Sequence, residues 1–117
     1  MKRGDVFLAD LKPTRGSEQS GFRPVVVVSR DAINRSSPVV VVVPCTSWTR
    51  ERRIYPSQVV VQTPEGGLRG DSIALGEQVR AITRDRLSER WGSLDPATLR
   101  RVDQALLVAL DLPGQFD

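Results

Sequence analysis

The chain reads as mainly β: a small antiparallel β-barrel with short helices and a C-terminal α-helix. Three observations predict it. Residues 25–28 and 39–43 are valine runs without alternation, the pattern of strands buried on both faces. The connection between them, residues 30–37, is too short for a crossover helix, so the two runs pair antiparallel. Only near the C-terminus do apolar residues recur at helical spacing, at Leu99, Val102, Leu106 and Leu110.

The elements follow in order. Residues 5–11 form a first, mostly apolar strand that ends before Pro13. Residues 14–22 are rich in Gly and Ser and carry Arg15, Ser17 and Glu18, the composition of a surface loop that bears function. Arg23 precedes Pro24, and a residue before proline is driven out of helical geometry into extended geometry. Arg23 therefore opens the second strand, at the point where loop becomes strand. A turn centred near Ile33 and Asn34 sets Arg23 opposite about residue 44. Thr46 then projects on the same side, because side chains two apart on a strand share a face.

Residues 48–53 show no period and read as a second loop. Residues 54–63 return to strand, with Tyr55, Val59 and Val61 on one face, and Pro64-Glu65-Gly66-Gly67 turns the chain back into residues 69–75. That register brings Glu77 and Gln78 near Arg52, at the rim that holds Thr46, so three separated segments converge on one end of the barrel. Residues 81–86 read as a single helical turn and residues 87–94 as a last strand, with Trp91 and Phe7 assigned to the core. Asp95 is the N-cap and Pro96 the first residue of the final helix, which Pro113-Gly114 stops.

Composition bounds the chemistry. With 117 residues the chain is a single domain, residues 1–117. No apolar run reaches membrane-spanning length and the N-terminus has no signal-like apolar stretch, so the expected location is cytoplasmic. One cysteine excludes an intrachain disulfide, and no histidine with one cysteine removes the usual zinc ligand sets, so neither a metal nor a cofactor is expected. Cys45, with no histidine to activate it, reads as a small buried apolar residue. All but Lys2 and Lys12 of the 17 basic residues are arginine, which suits paired contacts to phosphate oxygens. On charge alone, a solvated arginine-rich surface explains this equally well.

The opening GDVFLADLKPTRGSEQSGFRPVVVVS, the PCTS after the second valine run, and ALGEQVRAI at residues 74–82 resemble the MazF/PemK family of toxins. The resemblance runs in order over nearly the whole chain. It implies an SH3-like barrel working as a homodimer, and a ribosome-independent endoribonuclease neutralised by a cognate antitoxin. It points to Arg23 and Thr46 as the catalytic pair, supported by Glu18.

Cleaving RNA without metal or histidine requires a 2′-hydroxyl to lose its proton and attack the adjacent phosphorus as the 5′-oxygen leaves. Single-stranded RNA (mRNA) as substrate, with 2′,3′-cyclic phosphate and 5′-hydroxyl ends, is what the resemblance implies. Arg23 suits the charge that develops on the nonbridging oxygens, Thr46 adds a hydroxyl, and Glu18, the only carboxylate on the loop, is the candidate general base. Arginine keeps its proton in proteins, so its role is electrostatic. RNA-binding candidates are Arg15, Ser17 and Phe22 on the first loop, Ser47 and Trp48 after Thr46, and Ser72, Glu77 and Gln78 beyond the turn.

Trp48 either stacks on an unpaired base or covers the barrel end or a dimer contact. Phe22 stands where some family members carry histidine. The antitoxin is expected to lay an acidic, otherwise disordered segment along the basic rim. Two binding-only readings compete. One is a toxin of the same superfold that binds DNA gyrase, a group with a Trp-Gly ending where this chain has LPGQFD; the other is an RNA-binding barrel without turnover.

Overall fold

The computed structural model describes residues 1–115; Phe116 and Asp117, the end of LPGQFD, lie outside the described residues. Seven strands are present: β1 (Asp5–Asp10), β2 (Phe22–Val27), β3 (Val39–Ser47), β4 (Gln58–Val61), β5 (Ser72–Leu75), β6 (Arg80–Thr83) and β7 (Leu87–Ser93). Two helices, α1 (Asp31–Ser36) and α2 (Pro96–Leu110), join them. The pairing is antiparallel in the order β4-β5-β3-β2-β1-β7, with β6 also on β3.

Val25, Val26, Val27, Val40, Val42 and Val43 are buried because the valine strands separate two cores, while Val28 and Val41 are half-buried and Val39, at the start of β3, is exposed. Val26 and Val43 pack with Val102 and Ala105 of α2, while Val25, Val27, Val40 and Val42 face Leu11 and Ile82 on the other side. An alternating strand would have left one of these cores polar. β3 is longer than its valines. Its far edge pairs first with β6, from Val39↔Thr83 to Val42↔Arg80, and then with β5, from Cys45↔Ala74 to Ser47↔Ser72. Pro44, which has no N–H to give, stands where the partner changes.

The strand ladder does not close. β4 and β7 are the two ends of the order, and the seam between them is filled by the turn Glu65–Gly67 packed directly on β7. Gly67 has φ +72°, and a Cβ there would lie 2.2 Å from the Trp91 carbonyl oxygen. Only glycine permits that approach.

Several elements differ from expectation. The β2–β3 connection contains the short helix α1, anchored by Asn34, which is buried and donates from Nδ2 to the Ser29 carbonyl at 2.8 Å. Residues 80–83 are strand rather than a helical turn; the turn is confined to Arg84–Arg86. β4 begins only at Gln58, and Tyr55 is half exposed in the preceding loop instead of sharing a face with the buried Val59 and Val61.

Asp95 occupies the N-cap position with extended geometry, yet its side chain makes no cap bond; its N–H donates to Glu65 Oε2 at 3.0 Å. α2 ends one turn earlier than Pro113. Asp111 takes left-handed geometry (φ 53°, ψ 46°), and the Leu112 N–H reaches back to the Leu107 carbonyl at 2.9 Å. The buried face of α2 is Thr98, Val102 and Ala105, while Leu110, expected in the stripe, is 53% exposed. Phe7 and Trp91 are half-buried at the margins of the two cores.

Candidate active site

The β2–β3 register pairs Val25 with Pro44, and continuing it two residues brings Arg23 level with Thr46. The sequence expectation was two positions short, so the predicted neighbours are in fact opposite one another. Arg23 is half-buried, and its Nε–H donates to the Ser20 carbonyl at 3.0 Å, which fixes the plane of the guanidinium. Among the described residues its terminal nitrogens meet no acceptor and it joins no ion pair; the ion pairs there are Arg3–Asp103, Arg69–Glu89 and Arg90–Asp5. Among the described residues Arg23 and Glu18 form no ion pair with each other. Thr46 is 9% exposed, held by pairing with Ile73 of β5, and among the described residues its hydroxyl has no hydrogen-bond partner.

Both side chains line one cleft of about 300 Å³, with Ser47 and Ser72 beside them. Arg69, Asp71 and Trp91 line the same cleft. A half-buried arginine with both terminal nitrogens unengaged and a hydroxyl without a protein partner, lining one concavity, form a ready site for a tetrahedral oxyanion. Ser72 is buried and its hydroxyl donates to the Gly70 carbonyl at 2.9 Å, so it shapes the wall rather than offering a donor. Cys45 also lines the cleft but is fully buried, and burial pushes its thiol up to about 12, leaving it protonated and without nucleophilic character.

The remaining candidates gather elsewhere. Glu18, Glu77 and Gln78 line a second pocket of about 340 Å³ together with Gln19, Arg80 and Pro44. The two pockets share no lining residue, so the expected convergence splits into two compartments. Glu77 accepts from Ser57 Oγ at 3.1 Å and Gln58 Nε2 at 2.7 Å instead of approaching Arg52, whose Nη1 donates to the Ser47 carbonyl at 3.2 Å. Gln78 is a latch: its Oε1 accepts the Gln19 N–H at 2.8 Å and its Nε2 donates to the Ser17 carbonyl at 3.2 Å, on either side of Glu18. Arginines pin the root of the same loop, with Arg86 donating to the Asp10 and Lys12 carbonyls. Arg15, Ser17 and Phe22 are exposed around it, Phe22 by 64%.

The sequence reading missed Arg69 and Asp71, and placed Trp91 in the core. The available signal was their position: both precede β5, whose first residue pairs with Ser47. Asp71 Oδ1 accepts the Thr63 N–H at 3.0 Å, and its carbonyl accepts the Trp48 N–H at 2.9 Å. Trp48 itself is half-buried, its indole nitrogen enclosed without an acceptor, and the aromatic on the cleft is Trp91. Among the described residues no three His, Cys, Asp or Glu side chains cluster, and no helix is long and apolar enough to cross a membrane.

Comparison with known proteins bears on the family and the fold. The family described as PemK-like, MazF-like toxin of type II toxin-antitoxin system matches residues 2–110. The chain is 40% identical over 112 residues to endoribonuclease EndoA of Bacillus subtilis (strain 168), covering 96% of each chain. Among solved structures, it is similar to a mycobacterial endoribonuclease in complex with its cognate antitoxin, at TM-score 0.79 and 30% identity over 97% of each chain. MazF from Deinococcus radiodurans superposes at TM-score 0.80 with 26% identity, covering 96% of this chain and 97% of that one.

Proposed function

The chain belongs to the PemK-like, MazF-like toxins of type II toxin–antitoxin systems and is an endoribonuclease toxin, and we propose that it cuts single-stranded RNA in the cleft between Arg23 and Thr46. The observation that supports this reading is that one cleft is lined by an arginine whose terminal nitrogens are unengaged and by a threonine hydroxyl without a protein partner. In the reaction, the 2′-hydroxyl gives up its proton as its oxygen bonds to phosphorus. The bond from phosphorus to the 5′-oxygen breaks, and the departing oxygen takes a proton from water. Negative charge grows on the nonbridging oxygens between these events, where Arg23 and Thr46 donate. Preorganised donors of this kind are worth about 10²–10³ in rate each. The products are a 2′,3′-cyclic phosphate and a 5′-hydroxyl.

Glu18 is the proposed general base, on a loop that Gln78 ties down and whose Ser20 carbonyl holds Arg23. Asp71, with one carboxylate oxygen taken by the Thr63 N–H, has an architectural role in the cleft wall. The toxin acts as a homodimer in the cytoplasm. The half-buried Leu107 and Val108 and the exposed Leu110 and Leu112 supply apolar surface for the second copy. Its cognate antitoxin covers the arginine-lined rim with an acidic segment; a related mycobacterial endoribonuclease is solved with its cognate antitoxin.

Cleavage of a long single-stranded RNA in EDTA, with both new ends mapped, tests the chemistry. Cyclic-phosphate ends are expected, with a rate loss of about 10²–10⁴ in Glu18→Gln and little loss in Asp71→Asn. The reverse order for the two variants would reassign the base to Asp71.

A further inference from the structure

The cleft that Arg23 and Thr46 line also holds a cation–aromatic stack that phosphate chemistry does not require. The Arg69 guanidinium lies over the Trp91 ring, 4.3 Å from its centroid. Glu89 orients both partners: its Oε1 accepts the indole N–H at 2.8 Å and an Arg69 Nη2–H at 3.3 Å. Trp91 packs inward against the α2-side core, and its backbone is fixed by the close contact with Gly67. Arg69, by contrast, is 72% exposed at the side chain. A planar cation thus rests on a rigid ring in the same cleft that holds the proposed phosphate donors.

From this we infer that Arg69, seated on Trp91, is a stacking platform for the base of a nucleotide that flanks the cut. Unpaired RNA bases are held in this way, on aromatic rings or arginine planes. The inference rests on the proposed cleavage site, since it takes the phosphate to lie at Arg23. Arg69 makes no base-edge contact in this role. Its contribution is affinity and register: the base seats on the plane, and the neighbouring phosphate is carried to the donors. The exposed pair with Glu89 serves to orient the guanidinium, since a pair this open contributes little binding of its own.

The test uses binding, so that it does not depend on cleavage. Probes are fluorescein-labelled 2′-O-methyl heptamers, one of adenosines and one fully abasic on the same backbone, titrated by anisotropy into wild type, Arg69→Lys and Trp91→Leu. Stacking on one base is worth on the order of 5- to 100-fold in affinity. Wild type should prefer the adenosine probe by at least that factor. Arg69→Lys keeps the charge but loses the plane, and should cut the preference about fivefold or more while leaving abasic binding unchanged. Trp91→Leu should act alike. An undiminished adenosine preference in Arg69→Lys overturns the platform. Full cleavage activity in Arg23→Ala, measured separately, overturns the cut-site assignment instead.

Discussion

Removing the Gln78 side chain should release the loop that carries Glu18 and whose Ser20 carbonyl also orients Arg23. Gln78→Ala deletes two hydrogen bonds, to the Gln19 N–H at 2.8 Å and the Ser17 carbonyl at 3.2 Å. A typical intramolecular bond contributes about 0.5–1.5 kcal/mol net, and the second of these is long and exposed. Their joint loss is therefore about 1–2 kcal/mol, or a roughly 5- to 30-fold shift toward the open loop. The loop root stays pinned by Arg86 and Arg80, so global stability should change little. Hydrogen exchange of peptides covering residues 14–22 should accelerate by that factor, and kcat/KM on an RNA substrate should fall by a similar one. Activity lost with no change in loop exchange would refute the latch and return Gln78 to direct RNA contact. Faster exchange with unchanged activity would show that the loop position is irrelevant to cleavage.

Two further perturbations probe the frame around the site. Gly67→Ala places a Cβ 2.2 Å from the Trp91 carbonyl at φ +72°, and should cost at least about 3 kcal/mol in urea unfolding. Gly16→Ala, at φ +57° with nothing within 4 Å, should cost about 1 kcal/mol; equal effects would mean that the seam contact is not structural. Asp5 ionises more easily than an ordinary aspartate: burial opposes its charge most strongly, but hydrogen bonds from the Lys2 N–H, Arg90 and Ser93 together outweigh it. Because its folded value is depressed, its stabilisation is complete above the unfolded value of about 3.9 and is lost as pH falls through the folded one. Asp5→Asn should thus flatten the acid limb of a Tm-versus-pH curve, and an unchanged limb would contradict this.

The strands that position Arg23 and Thr46 were legible because an uninterrupted apolar run has few solutions: Val25 and Val26 must face different cores, and antiparallel pairing follows from a short connection. The two-residue error in register came from α1, whose anchor is one buried amide, Asn34, with no periodicity to announce it. β6 was unreadable as a strand because only Ile82 is buried while its neighbours are exposed or half-exposed, so its order comes from pairing with β3. Arg69, Asp71 and Trp91 escaped for a different reason. The first two lie on an aperiodic approach to β5, and Trp91 reaches the cleft only because two glycines let the turn Glu65–Gly67 pack against β7. The split between the Glu18 and Arg23 compartments likewise depends on where Gln78 ties the loop, which is a tertiary contact across 59 residues.

The most direct test of the central claim measures cleavage rate and equilibrium affinity on the same single-stranded RNA, in EDTA, for wild type, Arg23→Ala and Thr46→Ala. If the two side chains stabilise the developing oxyanion, kcat falls about 10²–10³ in each variant while Kd stays within about tenfold. Undiminished kcat in both variants, or affinity falling in step with activity, would contradict an active site between β2 and β3.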